Sequence, residues 1–165
     1  MGIIVNSSMV SVNKEVLLMK ILEMSENTIV IGCDHAGFEL KTALISFLKQ
    51  QNYSIIDKGC YSLESIDYPD YGHAVATEVL ESNIRGILIC GSGNGINMTA
   101  NKHKGIRAAL CWNVEIASLA RLHNDANILT LPGRFVSEEL AKEIVTVYLS
   151  TAFEGGRHQA RIDKI

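Results

Sequence analysis

The four cysteines of this chain, Cys33, Cys60, Cys90 and Cys111, include no C-x-x-C pair, so neither a zinc ribbon nor a thioredoxin-type redox pair is encoded. No apolar run is long enough to cross a bilayer. A net charge of only -3 argues against a broad nucleic-acid surface, though a local basic site remains compatible with it. The opening residues lack the basic start, unbroken apolar core and cleavage site of a secretory signal, and they lack the arginines of a mitochondrial transit peptide. No repeat or low-complexity tract interrupts the chain. These absences leave a soluble protein with free thiols, expected in a reducing compartment, the cytoplasm, with neither nucleic acid nor membrane as partner.

What is present fits one well-packed domain: 165 residues, 47% of them hydrophobic and 20% charged. Residues 1–27 read as an addition, a leader or upstream start, ahead of a domain over 28–165. Within that addition Val16, Leu17, Met19, Ile21 and Leu22 are expected on an amphipathic helix over 13–24. Five short apolar runs follow as strands: Thr28–Cys33, Tyr53–Ile56, Gly86–Cys90, Gly105–Cys111 and Ala126–Leu131. Helices are expected over Phe38–Gln50, Tyr71–Glu81, Asn94–His103, from Asn113 to about His123, after the N-cap Ser137, and over Arg157–Ile165. Strands alternating with helices give a three-layer α/β/α sandwich around a five-stranded parallel sheet, Rossmann-like in class. In such folds ligands bind beyond the carboxyl ends of the strands.

The chain is organised around Ile87–Ile96, Ile-Leu-Ile-Cys-Gly-Ser-Gly-Asn-Gly-Ile. Its glycines run G-x-G-x-G, which is not the dinucleotide fingerprint; no G-K-[ST] follows, and the G-x-S-x-G frame is absent. Strand, glycine turn and helix in succession point backbone N–H groups at one spot. Cys90 ends the strand beside a helix N-terminus, where partial positive charge favours a thiolate. A thiolate is a base or a nucleophile, and the same N–H groups can hold an oxyanion. The plainer reading is a free cysteine closing a buried strand above a turn shaped by packing.

Asp34 and His35 follow the first strand, at the same end of the sheet as Cys90; a helix-capping carboxylate and a solvated loop histidine are the alternatives. His123 closes the fourth helix, either as a cation at a helix C-terminus or as a histidine able to exchange a proton near neutral pH. With Cys90 it also allows a Cys-His hydrolase. Arg121 is expected at the surface. Arg157 and Arg161, four apart, are expected on one face of the last helix, suited to a phosphate or carboxylate or else merely solvated. Arg134 follows the fifth strand, within reach of the crevice. Asp34, His35 and His123 have no trusted metal-ligand spacing, so no metal is expected.

Together these stretches resemble the type B ribose-5-phosphate isomerases and their sugar-phosphate isomerase relatives. The matching segments, in colinear order, are Gly32-Cys-Asp-His-Ala-Gly37, Asp67-Tyr-Pro69, Ile87–Ile96, Ala100-Asn-Lys102, Gly105-Ile-Arg107, His123-Asn-Asp125 and Glu154-Gly-Gly-Arg-His158. They run from about Ile29 to the C-terminus and leave residues 1–27 outside. Ser92 stands where many relatives have threonine, which keeps the hydroxyl. The resemblance implies interconversion of ribose 5-phosphate and ribulose 5-phosphate without metal or organic cofactor. It implies that Cys90 is the base, with Ser92 and Asp34 in the catalytic set. Gly91, Ser92, Gly93, Asn94 and Gly95 would hold the enediolate, and His123 would open the furanose ring. Asp34 and Asn124 would bind sugar oxygens, while His35, Arg134, Arg157 and Arg161 hold or flank the phosphate. A homodimer or tetramer with shared sites is implied, the Asp34 and Cys90 loops coming from one subunit and at least some of His123, Asn124 and Arg134 from the other. The alternatives are a six-carbon substrate, allose 6-phosphate or galactose 6-phosphate, and a sugar-phosphate-binding module without catalysis.

Overall fold

The computed structural model describes residues 27–165 and, before them, Val16 alone, which is helical and exposed. The amphipathic helix expected over 13–24 otherwise lies outside the described residues. The expected fold class is the one observed. Strands β1 (Thr28–Cys33), β2 (Ser54–Asp57), β3 (Arg85–Cys90), β4 (Ala108–Leu110) and β5 (Ile128–Pro132) form one parallel sheet in the order β2-β1-β3-β5-β4. Helices α1 (Phe38–Gln50), α2 (Tyr68–Ser82), α3 (Asn94–Ala100), α4 (Val114–Asn124), α5 (Glu138–Ser150) and α6 (Gln159–Ile162) follow in chain order.

Alternation along the strands divides the core. Ile29, Ile31, Ile87, Ile89, Leu129 and Leu131 pack against Leu44 and Leu48 of α1, Ala117 of α4, and Ile144 and Tyr148 of α5. Val30, Leu88, Cys90 and Ile128 face the other way, onto Val75 and Val79 of α2 and Ile96 of α3. Both faces of the central strands are buried, which is why they read as continuous apolar runs.

Several boundaries differ from the sequence reading. α2 begins at Tyr68 rather than Tyr71, because Pro69 lies in its first turn, where a missing N–H costs nothing. β4 shrinks to three residues, since Arg107 is engaged instead with the end of α4: its side chain donates to the Asn124 carbonyl at 2.9 Å and pairs with Asp125 at 2.9 Å. The last segment is a 3-10 turn, Gly156–His158, followed by α6, not one helix. Arg121 is not a surface residue. It is buried, donates to the Ala126 carbonyl at 2.6 Å and the Thr151 carbonyl at 3.3 Å, and pairs with Asp125 at 2.8 Å.

The buried thiols set an alkaline limit on stability. Burial pushes Cys111 from an ordinary value of 9.0 up to about 12, and burial followed by the neighbouring Cys60 raises Cys33 as well. A group with a raised folded pKa supports the fold while protonated; that support is complete below the unfolded value and is lost as pH rises through the folded one. The thermal midpoint should therefore hold to about pH 9 and fall between about pH 9 and 12. A midpoint that does not change across that window would contradict this.

Candidate active site

The carboxyl ends of β1, β3 and β5 meet at Cys90. The Asp34 amide donates to the Ile89 carbonyl at 3.1 Å, tying the end of β1 to that of β3, and the Asp34 carboxylate caps the next turn by accepting from the Gly37 amide at 3.1 Å. Gly37 is required here, because a Cβ would lie 2.7 Å from the Ile89 carbonyl oxygen. Asp34 thus performs the capping role open to it from sequence, and its carboxylate also accepts a hydrogen bond from the Cys90 thiol.

After Cys90 the backbone turns through Gly93 at φ 76°, a left-handed conformation, where a Cβ would also strike the Leu110 side chain at 2.5 Å. This turn brings the Gly91 and Gly93 N–H groups to the cysteine sulfur. They lower its pKa, as expected of a strand–turn–helix junction, yet they lose the competition. Burial, then the hydrogen bond to Asp34 and its negative charge, push the Cys90 thiol from 9.0 up to about 11. The expected resting thiolate is therefore corrected to a thiol held by a carboxylate.

Ser92 and Asn94 are exposed on the same loop, and the Ser92 hydroxyl accepts from the Asn94 amide at 3.4 Å. Gly95 packs so closely under Tyr68 that a Cβ would lie 2.5 Å from its ring. His35 is half-buried, its Nδ1 accepting from the Ile66 amide at 3.3 Å, so it is no free loop histidine. Arg134 joins this cluster: its amide donates to the Gly91 carbonyl at 3.1 Å, and its side chain crosses the space beside Gly91.

His123 and Asn124 are elsewhere. α4 starts after β4 at the carboxyl end of the sheet and runs back, so its last turn reaches the opposite end, where Asp125 takes a left-handed φ of 44° and the chain enters β5. β5 spans five residues; at about 3.3 Å each, the two ends lie about 15 Å apart. Asn124 lines a shallow pocket with Arg107, Ala108 and Ile165. The set Asp34, His35 and His123 is accordingly not brought together.

Around His123 a second cluster forms. Its ring stacks on that of His158, with centroids 4.2 Å apart and planes at 8°. Glu154 Oε2 lies 3.8 Å from His123 Nε2 and 3.8 Å from His158 Nε2, and the Glu154 amide is anchored to the Leu122 carbonyl at 3.0 Å. Arg157 Nε donates to His158 Nε2 at 3.4 Å, and Arg161 lies 3.5 Å from His158 Nδ1. The two arginines thus meet at one imidazole, although they belong to a 3-10 turn and a short helix rather than one helical face. Burial, then the charges of His123 and Arg157, hold His158 below the ordinary imidazole value of 6.5. Glu154 and His158 were not picked out by the sequence reading as site residues; their i, i+4 spacing beside Arg157 was the available signal.

A family model described as Ribose/Galactose Isomerase matches residues 29–165. The chain is 47% identical over 138 residues to ribose-5-phosphate isomerase B of Escherichia coli, covering 83% of this chain and 93% of that one. The structure of Clostridium thermocellum ribose-5-phosphate isomerase B aligns with a TM-score of 0.82 at 49% identity, over 83% of this chain and 93% of that one. The enzyme from Mycoplasma genitalium with bound ribulose-5-phosphate aligns with a TM-score of 0.81 at 44% identity, over 83% and 92%.

Proposed function

The chain belongs to the ribose/galactose isomerase family, and from that premise we propose that it interconverts D-ribose 5-phosphate and D-ribulose 5-phosphate, a step of the non-oxidative pentose phosphate pathway. The observation that carries this reading is Cys90, hydrogen-bonded to Asp34 under the Gly91 and Gly93 N–H groups. An aldose–ketose shift needs one group to carry a proton between neighbouring carbons and donors for the charge that develops on oxygen. Cys90, as thiolate, takes the proton from C2; the C2–H electrons form the enediolate; a proton passes between the two oxygens; and the thiol returns its proton to C1. The thiol proton must first leave to solvent, and the Asp34 carboxylate that accepts its hydrogen bond orients the sulfur. The loop Gly91–Gly95 holds the enediolate. The ribulose-5-phosphate complex of the Mycoplasma genitalium relative supports a five-carbon substrate over allose or galactose 6-phosphate.

His123 opens the sugar ring, and it does so from a second subunit. A thiol that touches C1 and C2 and an imidazole that touches the ring oxygen cannot serve one sugar from opposite ends of one sheet. In a symmetric homodimer, or a tetramer of such dimers, each site takes Asp34, His35, the Cys90 loop and Arg134 from one chain and His123 and Asn124 from the other. Exposed Met98, Trp112 and Phe135 supply apolar surface for the contact. Four free thiols fit the cytoplasm as the location.

Arg157 and Arg161 bind the phosphate dianion, with His35 and Arg134 flanking it. Replacing either by alanine is expected to raise KM by about tenfold or more and to lower kcat less, because the phosphate is held alike in ground and transition states. Unchanged kinetics in both variants would return them to a solvated basic face.

The test of the activity is turnover of ribose 5-phosphate by purified protein with chelator present. Turnover is the expected result. Turnover of a six-carbon sugar phosphate alone would reassign the substrate, and binding of ribose 5-phosphate without turnover would leave a binding module.

A further inference from the structure

We infer that His123, Glu154 and His158 form a capture site for a divalent transition ion of the zinc class, and that occupation withdraws His123 from ring opening; the second half rests on the proposed function, the first does not. The three ligand atoms lie within 4.8 Å of one another, the one such group of three or more among the described residues. Two imidazoles and a carboxylate match the donors of three-ligand zinc sites, which keep a fourth position for water or another ligand. Ligand atoms around a tetrahedral ion with bonds of about 2.0 Å stand about 3.3 Å apart, so the two 3.8 Å separations need a modest contraction. The ring planes, now at 8°, must also tilt to aim both Nε2 lone pairs at one point.

The movable partners can supply this. Glu154 is exposed and His123 half-buried, while buried His158 is fixed. The Glu154 backbone is nonetheless tied to Leu122, one residue before His123, so the carboxylate stays beside the imidazole. Arg157 donates to His158 Nε2, so an unprotonated lone pair already faces a positive group there. An arriving ion takes the place of that N–H, and the exposed Arg157 side chain swings to solvent. The arginines weaken the site by their charge, so it binds an ion reversibly, as a regulator does, rather than as a permanent centre.

Calorimetry with zinc on the full-length chain carrying Cys90→Ser, which removes the competing thiol of the other cluster, reads the binding. One ion per chain is expected, bound at least about tenfold more weakly after Glu154→Gln or His158→Gln, since even outer-shell losses at metal sites cost that much. His73→Asn serves as a control, because His73 Nδ1 and His103 Nε2, 2.7 Å apart, offer a competing two-ligand site. Binding that survives Glu154→Gln and His158→Gln unchanged, or that vanishes with His73→Asn, overturns the site. In the wild-type chain zinc is expected to inhibit turnover reversibly, with an inhibition constant raised at least about tenfold by Glu154→Gln relative to that variant's own metal-free rate. Equal inhibition of both overturns the withdrawal of His123. A metal-free chain with no isomerase activity would count against the proposed function, while zinc binding measured by calorimetry would still decide the site.

Discussion

Replacing Cys90 by alanine is expected to remove nearly all isomerase activity while sugar-phosphate binding persists. A positioned acid–base group contributes about 100- to 10,000-fold. Here the loss should fall near the upper end, because the variant retains no other proton carrier between the glycine N–H groups and Asp34. The loop itself should survive, since its shape depends on Gly93 and on backbone bonds from Gly133 to the Cys90 carbonyl at 2.9 Å and from Arg134 to Gly91. The native enzyme carries a matching pH signature. With the thiol pushed up to about 11 by burial and Asp34, kcat/KM should climb above neutrality by about tenfold per pH unit until another group or unfolding intervenes. An alanine variant turning over near the wild-type rate, or a profile flat from pH 7 to 9, would remove Cys90 from the base role.

Replacing His123 by alanine should impair overall turnover of the sugar more than the proton transfer at carbon. Ribose 5-phosphate enters as a closed ring with no carbonyl, so its conversion needs ring opening before Cys90 can act. Ribulose 5-phosphate cannot close to a furanose in the same way and bypasses that step. The loss in kcat/KM for overall turnover is expected at about 100-fold or more, equal in the two directions because the equilibrium constant is fixed, and less for the proton transfer itself, which isotope exchange between solvent and the carbon of ribulose 5-phosphate reports. Equal losses in ring opening, exchange and binding would make His123 a structural residue. Glu154 and the stacked His158 hold the imidazole, so its removal also frees the C-terminal turn to shift, and a thermal melt of the variant separates that effect from chemistry.

The fold was legible because its signals are local. Apolar runs of four to six residues marked β1, β3 and β5, the Leu44 and Leu48 spacing marked α1, and Asn113 and Ser137 announced the starts of α4 and α5, where both do accept the capping amides. The site was legible as a set of residues and less so as chemistry. Proximity to a helix N-terminus is visible in sequence and favours a thiolate; the burial of Cys90 and the approach of Asp34 are tertiary, and they outweigh it. Arg121 looks like any charged residue in a helix, and its partners, the Ala126 and Thr151 carbonyls, are assembled only when β5 and the end of α5 fold beside it. The separation of His123 from Cys90 follows from topology, since a helix after a parallel strand returns to the opposite end of the sheet. That same topology puts Arg134, just after β5, on the Cys90 side within reach of the crevice, apart from His123 and Asn124.

The central claim is that two chains build one site, and mixing two dead proteins tests it most directly. Cys90→Ala and His123→Ala are denatured together and refolded at equal concentration. If the two residues belong to opposite chains, half the dimers are mixed, each with one doubly damaged site and one intact site, and about a quarter of wild-type activity returns. If they serve one site from the same chain, every site keeps a lesion and no activity returns, and the account of a shared active site fails.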